Sequence, residues 1–182
     1  MNHEYLLRMV ERPDLRPYLD DEQFEFRRSV ARVLHKHATP DYVRDCDENK
    51  RFPAALIATA VDQGWFALTI PEEYGGIGGY LDMAAFLEIA AYHSIGLTRF
   101  WNVNVNMVGG AIARFADERI KSLLLPQMLQ GQTWFAFALS ENGSGSDAAS
   151  LTTRAVEDGD HLVVDGTKMW ITGAAQAKSR QT

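Results

Sequence analysis

The hydrophobic period of this 182-residue chain changes at Gly131, and that change narrows its possible folds more than any other feature. Before it, apolar residues recur at helical spacing; after it, they alternate as in strands. The stretch "DDEQFEFRRSVARVLHKHATP" from Asp20 opens with acidic residues that suit a helix N-terminus and closes at Pro40. Phe26, Val30, Val33, Leu34 and His37 share one face of it. A second helix is expected from Pro53 through "AALIATAVDQ" to a stop at Gly64. "GWFALTIPEEYGGIGG" then predicts a turn-rich connection. Residues 81–95 are apolar nearly all round, which predicts a helix buried between others. Val105, Val108, Ile112 and Phe115 continue the helical pattern; Gly109 and Gly110 serve either close helix packing or a break. Asp117 is expected to cap a last helix with Ile120, Leu123, Leu124 and Met128 on one face, a kink at Pro126, and Gly131 as terminator.

Beyond Gly131, "TWFAFALS" predicts a strand. "LTTRAVEDGDHLVVDGTKMWITG" predicts three short strands turning at Asp158-Gly159 and Asp165-Gly166. The expected fold class is therefore α+β. An all-helical domain over 1–132 precedes the start of an antiparallel β domain over 133–177, and residues 178–182 form a disordered tail. The sheet is expected to stop before it closes.

Two segments of the β part carry candidate chemistry. In "SENGSGSDAAS", Gly143 and Gly145 let backbone amides approach a ligand, Ser140, Ser144 and Ser146 offer hydroxyls, and Asp147 can fix the loop through local amides. Such a turn suits a phosphate or a polar heterocycle, or is a plain connector. It is neither a Rossmann nor a Walker loop, because it opens no helix and lacks the required lysine. In "KMWITG", a strand would present Trp170 and Thr172 on one face and Met169 and Ile171 on the other. That face would serve a flat aromatic ligand, or Trp170 would simply fill a sheet core.

The basic residues are scattered and the net charge is −6, so nucleic acid has no electrostatic footprint here. A single cysteine, Cys46, excludes an internal disulfide and fits a reducing compartment with a buried thiol. No secretory signal and no membrane-spanning apolar run is legible, and a soluble, cytoplasmic protein is expected. His35 and His37 project about 200° apart on a helix and do not form a metal site. His93 reads as a core or interface histidine. Asn102, Asn104 and Asn106 are either polar lining of a cleft or ordinary helix caps.

The segment "WFAFALSENGSGSDAASLTTRAVEDGDHLVVDGTKMWITGAA" resembles the signature of the acyl-CoA dehydrogenase family. That signature is an apolar strand, Thr-Glu-Pro-x-x-Gly-Ser-Asp, a hairpin, and Asn-Gly-x-Lys-x-Trp-Ile-Thr. "GWFALTIPEEYGGIGG" and "LLLPQMLQGQTWFAFALSE" also resemble the family, in the same order along the chain. The resemblance implies FAD in a cleft beside the middle β domain, between two helical domains. Phe137 to Ser146 would line the flavin, with Leu139 and Ser140 nearest the ring, Gly145 in the loop, and Ser146 where the loop meets the acyl-CoA. Trp170 and Ile171 would lie beside the isoalloxazine and Thr172 would bond near N5.

The implied activity is α,β-desaturation of an acyl-CoA thioester: a carboxylate removes the α-proton and the β-hydrogen leaves as hydride to flavin N5. The base is expected beyond residue 182, so no catalytic residue is named, and the chain is read as truncated or frame-shifted near Ala177 and inactive by itself. Electron-transfer flavoprotein as acceptor and a homo-oligomer at full length are further implications. Ser140, Asn142, Asp165 and Lys178 depart from the family's usual threonine, proline, asparagine and aspartate. A flavin-dependent oxidase or monooxygenase on the same scaffold, or a non-catalytic module pairing with a full-length relative, are the alternatives.

Overall fold

A computed structural model describes residues 9–177 of the chain. Helix α1 (Asp21–His37) begins where Asp20 accepts from the Gln23 amide at 2.8 Å while the Gln23 side chain accepts from the Asp20 amide at 3.1 Å. This reciprocal cap satisfies two otherwise orphaned donors and fixes the start of the helix. Its buried face is Phe24, Arg27, Val30, Ala31 and Leu34; Phe26 and Val33 are only half-buried and His37 is exposed. The expected face is therefore rotated slightly toward the helix N-terminus.

Pro40 does more than end a helix. Thr39 caps a further helix, α2 (Pro40–Glu48), in which Pro40 is the first residue and Cys46 the buried one. Helix α3 (Ala54–Asp62) follows, and its chain exit passes through Gly64 at a left-handed φ of 73°.

Helix α4 (Tyr80–His93) packs against α1 through Ala85, Phe86, Ile89 and Ala90. The expectation that it is buried on all sides is not met: Tyr80, Leu81 and Tyr92 are exposed. Its one carboxylate in the middle, Glu88, meets the fully buried guanidinium of Arg27 at 2.5 Å, and Arg12 reaches the same carboxylate. Arg27 also donates to the carbonyls of Met9 and Val10. Each guanidinium nitrogen of this buried cation thus has a partner, and removing Glu88 would leave it without its counter-charge.

Ser94 caps α5 (Ile95–Trp101), and the helical run continues as π-helix over Asn102–Gly109 and as α6 (Gly110–Phe115). The glycine pair therefore makes no break, and Gly109 serves close packing. A Cβ at Gly109 would lie 2.8 Å from the Asn104 carbonyl and 3.2 Å from Met128. Phe115, expected on the buried face, is exposed.

Helix α7 (Glu118–Leu129) is capped by Asp117 as expected and runs through Pro126. It buries Leu125 and Met128, while Leu123 faces solvent. In the core between these helices, Phe86 stacks at a tilt with both Trp65 and Trp101, and the Trp101 indole donates to the Trp65 carbonyl at 2.7 Å. Each of these wholly buried rings contributes about 1.5–3 kcal/mol of apolar burial.

The β part is smaller than expected. Strands β1 (Arg154–Asp158) and β2 (His161–Asp165) pair antiparallel, with Arg154 opposite Asp165 and Asp158 opposite His161. The turn falls on Gly159-Asp160, one residue later than the expected Asp158-Gly159. Residues 133–140 form no strand, because nothing in the described structure pairs with them as a ladder. The expected third strand over 168–172 is also absent: Trp170 has φ 61°, which breaks the extended ribbon. The helical layer with a small antiparallel sheet is nonetheless the expected α+β class. The tail expected over 178–182 lies outside the described residues. Among the described residues no helix is long and apolar enough to cross a membrane.

Candidate functional site

Residues 133–140 leave α7 extended and are tied down by one side chain. Asn104, wholly buried in the π-helical stretch, donates to the Phe100 carbonyl at 2.9 Å and accepts from the Phe135 amide at 2.6 Å. It is a structural clamp rather than cleft lining, and Asn106 likewise spends its amide on Asn102.

A second clamp sits one turn on. The nearly buried carboxylate of Glu141 accepts from the amides and hydroxyls of Thr152 and Thr153 and pairs with Lys168 at 2.8 Å. Lys168 first, then the two threonines, hold this carboxyl far below the usual carboxylate range. Lys168 also reaches the Leu139 carbonyl at 3.0 Å, and the Met169 amide donates to the Ser140 carbonyl at 2.8 Å. Glu141 and Lys168 thereby staple the Gly-Ser loop, the foot of the hairpin and the returning segment into one unit. Gly166 belongs to the same junction: a Cβ there would fall 2.2 Å from the Thr153 hydroxyl.

The consequence is a cleft of about 230 Å³. One wall is helical, from Arg99, Val103 and Met107. The opposite wall is Phe137, Leu139 and Ser140 together with Met169, Trp170, Ile171 and Thr172. Six of the eight sequence-predicted ligand residues, Phe137, Leu139, Ser140, Trp170, Ile171 and Thr172, therefore meet in one place. The other two, Gly145 and Ser146, stand outside it on the exposed loop. The expected separation of Trp170 and Thr172 from Met169 and Ile171 onto opposite faces is overturned, because that separation requires a strand and the segment is not one.

Polar capacity in the cleft is unspent. The hydroxyls of Ser140 and Thr172 have no partner among the described residues, and Trp170 is 86% exposed. Gly143 and Gly145 have nothing within 4 Å of a built Cβ, so their backbone is open to a ligand. Ser144 differs from the expectation: it is buried and donates to the Asp147 carbonyl, while Asp147 accepts from the Ala149 amide as expected of a loop-fixing residue. Arg99, Val103 and Met107 were not singled out from sequence, since helical spacing alone does not say which face meets a segment thirty residues later. The roles of Glu141 and Lys168 were equally unread, although both stand inside the quoted motifs.

A larger cavity of about 660 Å³ lies elsewhere, between α2 and the start of α5, with Tyr42, Cys46, Arg51 and His93 in its wall. It contains none of the predicted ligand residues. Burial, and secondarily the charge of His35, push the His93 imidazole down to about 4. Among the described residues no cluster of His, Cys, Asp or Glu could hold a metal ion.

A helical layer whose central run forms one wall of a cleft, with a loop and the segment after the hairpin forming the other, defines an α+β scaffold. Residues 20–132 match the family description "Acyl-CoA dehydrogenase, N-terminal domain" and residues 136–180 match "Acyl-CoA dehydrogenase, middle domain". The chain belongs to the acyl-CoA dehydrogenase family. It is similar to a probable acyl-CoA dehydrogenase of Mycobacterium tuberculosis, with 34% identity over 161 residues, 87% of this chain and 41% of that protein. A solved acyl-CoA dehydrogenase from Geobacillus kaustophilus superposes with a TM-score of 0.81 at 30% identity, over 88% of this chain and 42% of the other. An acyl-CoA dehydrogenase from Bacillus anthracis complexed with FAD gives a TM-score of 0.77 at 28% identity, over 88% of this chain and 28% of the other. The chain thus spans about two fifths of the length of the curated relative it matches.

Proposed function

We propose that this chain forms the flavin-side part of an FAD-dependent acyl-CoA dehydrogenase that desaturates an acyl-CoA thioester between its α and β carbons. The observation that carries the reading is the cleft itself: an exposed indole and two unpartnered hydroxyls, among apolar side chains and Arg99, beside a loop with open backbone. Those groups fit a flavin. Trp170 offers a face for the isoalloxazine, Ser140 and Thr172 offer hydrogen bonds to its polar edge, and Gly145 with Ser146 offers backbone and hydroxyl donors toward phosphate or acyl-CoA. Phe137, Leu139 and Ile171 exclude water around the ring. When bound, FAD supplies the two-electron acceptor.

The general base is proposed to come from outside these residues. Glu141 is committed to Lys168 and two threonines, and Glu88 to Arg27 and Arg12, so neither carboxylate is free to take a proton from substrate. The division near residue 132 into a helical and a flavin-binding part, cytoplasmic location, an electron-transfer flavoprotein partner and homo-oligomerisation belong to the same proposal. The exposed apolar side chains of the hairpin, Val156, Leu162, Val163 and Val164, support a role for further protein in covering it.

The test is flavin uptake. Chain mixed with excess FAD and desalted is expected to retain flavin absorbance, and a Trp170→Ala, Thr172→Val variant is expected to retain several-fold less. No retained flavin in the parent chain, or equal retention by the variant, overturns the reading.

A further inference from the structure

The larger cavity, about 660 Å³, has the size of a small-molecule site and plays no part in the flavin reading. Helix α2 and the residues after it form one side of it, with Tyr42, Val43, Cys46 and Pro53. The end of α4 and the start of α5 form the other, with His93, Ser94 and Ile95. The described residues hold two buried side-chain polar atoms without a hydrogen-bond partner, the Tyr42 hydroxyl and His93 Nε2, and both residues belong to this one wall. The hydroxyl has only the Cys46 thiol beside it, and sulfur is a weak partner; burial first and that thiol second push the phenol up. The imidazole, pushed down to about 4 by burial, is neutral at pH 7, and its Nε2 donates or accepts according to tautomer. The other polar groups are committed or peripheral. Ser94 caps α5 by accepting from the Leu97 amide at 3.2 Å. Arg44 and Arg51 are exposed and paired with Asp41 and Asp45, and Asp47 is exposed. A charged ligand would therefore leave water for a wall whose buried groups are neutral.

We propose that this cavity is a second ligand site, separate from the flavin cleft, for an uncharged ring compound bearing a hydroxyl. A hydroxyl donates and accepts at once, so it bridges the Tyr42 oxygen and His93 Nε2 whichever tautomer the imidazole adopts. The ring of the ligand lies against Pro40, Val43, Pro53 and Ile95. Both polar atoms are closed to water as the side chains stand, so the pairing takes a small shift of Tyr42 and His93. The site stands whether or not the other cleft holds a flavin.

Cys46 is the single cysteine of the chain and stands in the same wall, so its alkylation reports on this cavity. The 182-residue chain is treated with iodoacetamide at pH 8, and the rate is followed by intact mass during titrations with 2-naphthol, naphthalene or 2-naphthoate. 2-Naphthol is expected to slow alkylation saturably, with an affinity about five- to tenfold above that of naphthalene, which lacks the hydroxyl, and of 2-naphthoate, which carries a charge. Tyr42→Phe, which removes a single oxygen, and His93→Phe are each expected to bring 2-naphthol within about twofold of naphthalene. Circular dichroism checks the fold of both variants, and should one fail to fold the other decides. Equal protection by 2-naphthol and naphthalene, a preference for 2-naphthoate, or a hydroxyl preference that survives in a folded variant overturns the proposal. So does a Cys46 that resists alkylation in the folded parent chain, since the cavity then admits no small molecule. FAD is expected to leave the rate unchanged; protection by FAD would overturn the separateness of the two sites without touching the flavin reading.

Discussion

Replacing Asn104 with alanine should loosen the whole candidate site from its helical wall. Its amide bridges the Phe100 carbonyl and the Phe135 amide from a position with no solvent exposure. Truncation removes a hydrogen bond to Phe100 worth about 1 kcal/mol net and strands the Phe135 N–H at a further ~1–2 kcal/mol. The sum, about 2–3 kcal/mol, corresponds to a fall in Tm of roughly 5–10 °C for a chain of this size. The matched control is Asn106→Ala, which breaks only a half-buried side-chain pair with Asn102 and should cost under about 1 kcal/mol. Thermal melts followed by circular dichroism give the first readout. Limited proteolysis gives the second, with cleavage in 133–140 rising for Asn104→Ala alone. Equal melting of the two variants, or no gain in cleavage of that segment, would refute the clamp.

Three further outcomes follow from the packing and charge. Gly109→Ala should destabilise the chain by about 1 kcal/mol in urea, because crowding against Asn104 and Met128 outweighs the helix-propensity gain of alanine. The Glu141 carboxyl titrates lower in the folded chain than its ordinary 4.5, so its stabilisation is complete above that pH and is lost as pH falls. Amide exchange at Thr152 and Thr153 should accordingly differ between parent and Glu141→Gln at pH 7, and the difference should shrink toward pH 3. His93, pushed down to about 4 from 6.5, works in the acid direction too: the unfolded chain gains a proton between those values and the folded chain does not, so stability falls there. NMR titration should place His93 near the lower value, and His93→Gln should flatten that part of the pH profile.

Much of the helical layer was legible because its signals are local. Asp20 and Asp117 cap where their side chains can reach the next amides, and Gly64 and Gly131 leave helices with positive φ. Helix α2 was hidden because Pro40 reads equally as a stop and as a first residue, and only Thr39 settles which. The strands expected at 133–140 and 168–172 failed for a different reason: alternation describes a chain that has found a partner, and neither segment has a ladder. Six of the predicted residues line one cleft even so, since Ser140 and Trp170 are joined through Met169 and Lys168 rather than through a sheet. Asn104 and Glu141 act through contacts thirty-one and twenty-seven residues away, to Phe135 and Lys168, and no local pattern encodes those distances.

The indole resonances of the four tryptophans give the most direct test of a flavin in the cleft. Trp65 and Trp101 are buried in the helical core and Trp134 packs on Phe66 and Phe100, while Trp170 alone lines the cleft. Titration of the nitrogen-15-labelled chain with FAD should shift the Trp170 indole signal, saturably and at one equivalent, and leave those of Trp65 and Trp101 in place. A Trp170 signal that stays unmoved at saturating FAD would contradict the account.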